Sequence, residues 1–114
     1  MQHQMRLKPG PFDAIRDGRK TIEIRLLDEK RQELKIGDII EFNKEPDRTE
    51  TIRVVISALH VHPNLGELIG AYPIEEFGYQ NPVALLADLN KYFPIERQRE
   101  FNALGIELRM IDTS

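Results

Sequence analysis

Two hydrophobic periodicities divide the chain and limit the folds that it can adopt. Up to about residue 61, apolar residues alternate with polar ones with a period of two, which is typical of β-strands. The strands predicted from this alternation span residues 2–8, 20–26, 35–42 and 51–61. Between the first two, Pro11 favours the start of a short helix over residues 11–17, which Gly18 closes in a left-handed conformation.

The second half changes to helical spacing before a last alternating segment. Leu65, Leu68 and Ile69 are spaced as on one helix face, and Asn64 precedes them as a predicted N-cap. Further helical segments are predicted over residues 73–81, 82–93 and 94–104, and a closing strand over residues 105–111. A curled antiparallel sheet with helices inserted before its last strand belongs to the α+β class.

Chain length and composition favour one ordinary globular domain, residues 1–114. Charged residues make up 31% of the chain and the net charge is −3, so any anion-binding surface must be local. The chain has no cysteine, which excludes disulfides, thiol catalysis and thiolate metal sites. No signal-like apolar run and no stretch of about 18 apolar residues is present, so we expect a cytoplasmic protein without a membrane partner.

No cofactor or metal site is predicted. The chain lacks a glycine-rich phosphate loop and a dinucleotide-binding fingerprint. His60 and His62 share one face of a predicted strand, but His3 is the only other imidazole and no convergent carboxylate is identifiable. We therefore interpret them as half-exposed histidines at a strand end.

The candidate site lies in the segment "GRKTIEIR". Thr21, Glu23 and Arg25 share one face of the second predicted strand, opposite two isoleucines, and Lys20 lies at the helix-to-strand turn. One interpretation is a solvated face with a Glu–Arg pair worth at most about 1 kcal/mol. The other is a site in which Lys20 and Arg25 bind a phosphate or carbonyl oxygen, while Glu23 accepts from a base amino group or orients Lys20. The alternation alone fits both.

Register with a known family favours the second interpretation. The pattern F-x-x-I-x-x-G-R-K-T-I-E-I-R, followed by K-I-G-D-I-I-E-F, resembles the ASCH (activating signal cointegrator homology) family over residues 5–42, and more weakly beyond. The resemblance implies a PUA-like curled antiparallel β-barrel with short helices beside a cleft. It also implies that Lys20, Thr21, Glu23 and Arg25 bind RNA, a nucleotide or a modified nucleoside there.

An enzymatic alternative follows from one bacterial branch of the family, which hydrolyses N4-acetylcytidine with a lysine, a threonine and a glutamate. The lysine falls on Lys20, but the threonine position holds Glu23, and residues 78–80 contain no glutamate where the branch has one. A nucleoside amidohydrolase with Lys20 and Glu23 as catalytic residues remains the second hypothesis. A protein-interaction module, which an exposed apolar stripe on helix 82–93 would support, is the third.

Other candidates follow from the helical half and the last strand. Tyr72, Phe77 or Tyr79 could stack on a base, although packing in the core or in a lid is an alternative for each. Tyr79 and Arg109 complete the predicted ligand-binding set, because the last strand of such barrels borders the cleft. Asp38 is predicted to shape the turn before its strand.

Overall fold

A five-stranded sheet, curled into a half-barrel, forms the centre of the computed structural model, which describes residues 1–113. The strands are β1 (Gln2–Leu7), β2 (Ile22–Leu26), β3 (Ile39–Lys44), β4 (Thr51–His62) and β5 (Ala103–Thr113), in the order β1-β3-β4-β5-β2. The helices are α1 (Pro9–Arg16), α2 (Leu65–Gly70), α3 (Pro82–Tyr92) and α4 (Ile95–Glu100). Short 3-10 turns span Arg31–Glu33 and Ile74–Glu76. The predicted α+β class is confirmed.

One strand pairing differs from the antiparallel sheet that the sequence predicts. β1 pairs with β3 in parallel, with Gln2 opposite Ile39 and Leu7 opposite Lys44, so the sheet is mixed. The other three pairings are antiparallel. A parallel pair needs a long crossover, and α1 with β2 supplies it here. Alternation marks which face of a strand is buried and carries no information on the direction of its neighbour.

Most element starts follow the local signals in the sequence. Gly18 has a φ of +79°, and the Asn64 side chain accepts a hydrogen bond from Glu67 N at 2.8 Å, both as predicted. The third strand begins at Ile39, because the Asp38 carboxylate closes the turn before it by accepting from Lys35 N at 3.1 Å. The same carboxylate lies 2.8 Å from His3 Nε2 and so ties this turn to β1.

Strand β2 is covered on both faces, which determines where its charged side chains lie. Its apolar face packs in a cluster with residues of α2 and α3. Gly105 of β5 lets α2 come close, because a Cβ there would lie 3.0 Å from Leu68 Cδ1 and 3.2 Å from Ile22 Cγ2. On the opposite face of β2, Glu23 is only 5% exposed.

Within the described residues, no helix is long and apolar enough to cross a membrane.

Candidate functional site

Backbone contacts from two elements fix Lys20 at the start of β2. After the reversal at Gly18, the N–H groups of Arg19 and Lys20 both donate to Ala14 O of α1, at 2.9 and 3.0 Å. The backbone of Lys20 also forms an isolated antiparallel β-bridge with Phe77, which lies in the helical half of the chain. The lysine is thus clamped between α1 and the segment that follows the second 3-10 turn.

The lysine side chain lies over Gly78 and is buried. A Cβ at Gly78 would be 3.1 Å from Lys20 Cβ, and Gly78 has a φ of +78°, a backbone conformation that favours glycine. Lys20 is 8% exposed. Gly78 therefore provides the space through which the lysine reaches Glu23.

Glu23 joins the two cations of the site. Its Oε1 lies 2.9 Å from Lys20 Nζ, and its Oε2 accepts from Arg25 Nε at 2.8 Å. Arg25 Nη2 donates in addition to Arg6 O of β1 at 3.1 Å. Burial by itself raises the pKa of Glu23, but the Lys20 ammonium and the Arg25 guanidinium outweigh it and lower the pKa. Glu23 is therefore ionised at neutral pH, and the three residues are not a solvated strand face.

The three charged residues line one cavity of about 460 Å³. Its volume is within the range of about 300–1,000 Å³ typical of small-molecule sites. Apolar side chains of α3 and its C-cap form one wall: Leu85, Leu89 and Phe93. The more exposed lining residues mark the mouth of the cavity, and they come from the β1–α1 region, the β3–β4 connection and the end of α3: Arg6, Lys8, Glu45 and Tyr92. A smaller cavity of about 270 Å³ also touches Lys20 and Tyr79.

Tyr79 is the one predicted aromatic residue that lines the larger cavity. Its hydroxyl donates to Asp88 Oδ2 of α3 at 2.5 Å. Burial, together with this hydrogen bond and the Asp88 charge, raises the pKa of Tyr79 to about 12. The phenol therefore stays protonated at neutral pH. Phe77 is instead fully buried in the core, and Tyr72 packs against His60 at a ring distance of 4.7 Å.

Two predicted ligand-binding residues lie outside the cavity lining. The backbone of Thr21 pairs with Glu76 and Leu108, and its buried Oγ1 has no hydrogen-bond partner within the described residues. Arg109 is exposed on β5, away from the lining residues. Lys20, Glu23, Arg25 and Tyr79 are thus brought together, and Thr21 and Arg109 are not.

Sequence patterns did not point to Asp88, Tyr92 or the basic residues at the mouth. Asp88 and Tyr92 lie in a helix whose periodicity predicts only an apolar face packed on the core. Their position near β2 follows from the tertiary fold. Arg6 and Lys8 are two basic residues at the end of the first predicted strand, and such pairs are too common in sequences to indicate a site.

The two strand-end histidines have separate partners and are half-buried. His60 Nε2 lies 2.9 Å from Glu107 Oε1, and His62 Nε2 lies 2.9 Å from the Tyr72 hydroxyl. Among the side chains that the structure describes, in residues 1–111, no three histidine, aspartate or glutamate residues are placed so that they could hold a metal ion.

Comparison with known families agrees with this architecture. The family model described as the ASCH domain matches residues 5–110, nearly the whole chain. The chain belongs to the ASCH domain family. ASCH domains have a PUA-like fold, and the family is linked in general to RNA binding.

Solved structures of similar shape include two proteins of about the same length and an ASCH protein. The hypothetical protein PH0355 is 27% identical with a TM-score of 0.86, over 97% of this chain and 100% of that one. PF0455 from Pyrococcus furiosus is 24% identical with a TM-score of 0.78, over 98% and 99% of the two chains. The ASCH protein of Zymomonas mobilis is 20% identical with a TM-score of 0.68, over 96% and 70%. No curated protein matches this sequence.

Proposed function

We propose that this ASCH domain binds single-stranded RNA or a nucleotide, with one base inserted into the larger cavity. The observation that carries the proposal is the ionised Glu23 held between Lys20 and Arg25 at the polar end of a cavity with an apolar wall. A base has the same two parts, an edge of hydrogen-bonding groups and a flat apolar face.

The charged residues have hydrogen-bonding capacity to spare for a ligand. An ammonium has three N–H donors, and among the side chains that the structure describes Lys20 uses one of them, on Glu23. The Nη1 group of Arg25 likewise makes no hydrogen bond inside the described part of the chain. A ligand that accepts from these donors makes charge-assisted hydrogen bonds, which are about twice as strong as those between neutral groups. Asp88, beside Tyr79, adds acceptor capacity for an exocyclic amino group.

The opposite wall suits the face of a base. Leu85, Leu89 and Phe93 provide an apolar surface, and Tyr79 is fixed at its edge by Asp88. Bases that stack on apolar and aromatic side chains while their edges are hydrogen-bonded are the usual mode of single-strand RNA recognition.

Binding is favoured over the amidohydrolase hypothesis by the state of Glu23. A general base that activates water needs a free oxygen and a pKa near the working pH. Both oxygens of Glu23 are engaged by cations, and its pKa is lowered. Glu23 therefore positions Lys20 and Arg25 rather than accepting a proton.

No exposed apolar stripe on α3 supports the third hypothesis, a protein-interaction module. The exposed Val83 and Tyr92 are nine positions apart and so point to opposite sides of the helix.

Titration with the four ribonucleoside 5′-monophosphates, followed by isothermal calorimetry and amide chemical shifts, tests the proposal. We expect at least one of them to bind and to shift signals of Gly78 and β2. Arg25→Gln should weaken binding by about tenfold or more, since it removes a charge-assisted hydrogen bond. Arg109→Gln, which removes the same charge outside the cavity, is the matched control. Binding that Arg25→Gln leaves intact would overturn the proposal.

Incubation with N4-acetylcytidine separates binding from catalysis. We expect no release of cytidine and acetate. Turnover that disappears in Lys20→Ala, with the fold of that variant verified by thermal denaturation, would replace the binding proposal with the amidohydrolase hypothesis.

A further inference from the structure

The mouth of the larger cavity differs in chemistry from its polar end. Tyr92, the last residue of α3, is 51% exposed there, although it is one of the largest apolar side chains of the chain. The ammonium of Lys8, from the segment between β1 and α1, lies 4.6 Å from the centre of its ring. An exposed aromatic ring at the entrance of a cavity offers a flat surface to whatever enters.

The cation over the ring is a weak and replaceable partner. Lys8 is exposed, and no hydrogen bond or ion pair holds its ammonium within the described residues. Stacking of a base on an aromatic side chain is worth more than a cation–π contact at an exposed position. A base could therefore take the place of Lys8 on the Tyr92 ring, and the ammonium would then be free to meet a phosphate.

The mouth also carries a local excess of positive charge. Arg6 is 61% exposed, and its partner Glu45 lies 3.9 Å away, at the limit of an ion pair. Lys8 is two residues along the same strand end, and both line the cavity. Arg25 Nη2 donates to Arg6 O, so the polar end of the cavity and the basic mouth are directly connected. A phosphate between two adjacent nucleotides fits this junction.

We propose that Tyr92 and Lys8 form a second nucleotide subsite, and that the preferred ligand is a single-stranded oligonucleotide rather than a free nucleoside. This inference rests on the proposed function. One base enters the cavity, the neighbouring base stacks on Tyr92, and Lys8 and Arg6 bind the phosphate between them. With this subsite the domain prefers single strands to duplexes, because a paired base must first be unpaired and unstacked, which costs free energy, before it can enter the cavity.

Affinities of a homopolymeric ribohexanucleotide and of its own 5′-mononucleotide test the subsite. We expect the wild-type chain to bind the hexanucleotide more tightly. Tyr92→Ala should lower the ratio of hexanucleotide to mononucleotide affinity by about tenfold, the usual effect of losing one base stack. Tyr92→Phe, which keeps the ring, should preserve the ratio. Lys8→Ala should weaken binding of the hexanucleotide, because Lys8 binds the phosphate between the two bases. Its control is Lys91→Ala, which removes an exposed charge beside Tyr92 and outside the cavity lining.

Each result separates the subsite from the underlying function. Equal affinity of the wild-type chain for hexanucleotide and mononucleotide, or an unchanged ratio in Tyr92→Ala, overturns the subsite and leaves the cavity as a mononucleotide site. Failure of the wild-type chain to bind either probe overturns the proposed function and the subsite with it. A lower ratio in Tyr92→Ala that Tyr92→Phe restores supports both.

Discussion

Glu23 illustrates how one buried carboxylate can serve structure and recognition together. Its two oxygens fix the head groups of Lys20 and Arg25, which come from the helix-to-strand turn and from β2 itself. A buried charge is tolerated only when it is paired, and breaking such a pair leaves the other charges uncompensated. The ligand-binding groups are therefore set before a ligand arrives.

Glu23→Gln tests this role through stability and its pH dependence. At pH 7 we expect a loss of about 3 kcal/mol in the free energy of unfolding, because the buried Lys20 and the partly buried Arg25 lose their counter-charge. The lowered folded pKa of Glu23 stabilises the protein above its unfolded pKa of about 4.3, and this contribution is lost as the pH falls through the lower folded pKa. The difference between wild type and variant should therefore shrink below about pH 4.

Urea unfolding at a series of pH values measures this difference. Asp38, whose pKa is also lowered by its hydrogen bond with His3, is present in both proteins and cancels. Glu29→Gln, at an exposed loop position, is the control and should leave stability unchanged. A wild-type-to-variant difference that stays constant over the whole pH range contradicts the role given to Glu23.

At the scale of elements, the approach of α2 to β5 depends on the absence of a side chain at Gly105. Ala at this position would place a Cβ 3.0 Å from Leu68 Cδ1 and 3.2 Å from Ile22 Cγ2. We expect Gly105→Ala to destabilise the domain by about 1–3 kcal/mol through overpacking. A Leu68→Ala background removes the shorter of these two contacts and leaves the one with Ile22, so the cost of the added methyl should be smaller there.

A double-mutant cycle of Gly105→Ala with Leu68→Ala measures that coupling. Gly70→Ala is the control, because its Cβ would meet nothing within 4 Å and should not destabilise α2. Equal costs of Gly105→Ala in both backgrounds would show that the close approach of Leu68 is not the cause.

The sequence predicts elements well and their spatial partners poorly. Periodicity and caps located every strand and helix, because these signals are local: Gly18, Asn64 and Asp38 act within a few residues of themselves. The parallel pairing of β1 with β3 depends on a crossover, and no local pattern encodes it.

The candidate site shows the same division. Lys20, Glu23 and Arg25 are within six positions of each other, so register with the family pattern was enough to group them. Asp88 and Tyr92 reach them only because α3 packs against β2, and a helical pattern does not state which strand it will face. Strand alternation predicts that Thr21 shares a face with Glu23 and Arg25. In the structure its hydroxyl is buried, and Thr21 is not among the residues that line the cavity.

For the whole molecule, the distribution of charge decides how strongly salt should affect RNA binding. The net charge is −3, so the surface as a whole does not attract a polyanion, and positive charge at the ligand is confined to the cavity and its mouth. A strand held only at Lys8 and Arg6 loses few counterions on binding. The dependence on salt should therefore be shallow compared with that of a basic nucleic-acid-binding protein.

The expected slope follows from the number of phosphate contacts. Each neutralised phosphate of a single strand contributes about −0.7 to the slope of log K against log salt, so the one phosphate bound by Lys8 and Arg6 predicts about −0.7 for the wild-type chain. Lys8→Ala should reduce the magnitude, because Arg6 alone neutralises the phosphate less completely, and Lys91→Ala should leave it unchanged. Anisotropy titrations of a labelled ribohexanucleotide between about 50 and 200 mM salt measure both values. A much steeper slope that Lys8→Ala does not alter would mean that the strand lies along another surface, because the mouth of the cavity has only two exposed cations to offer.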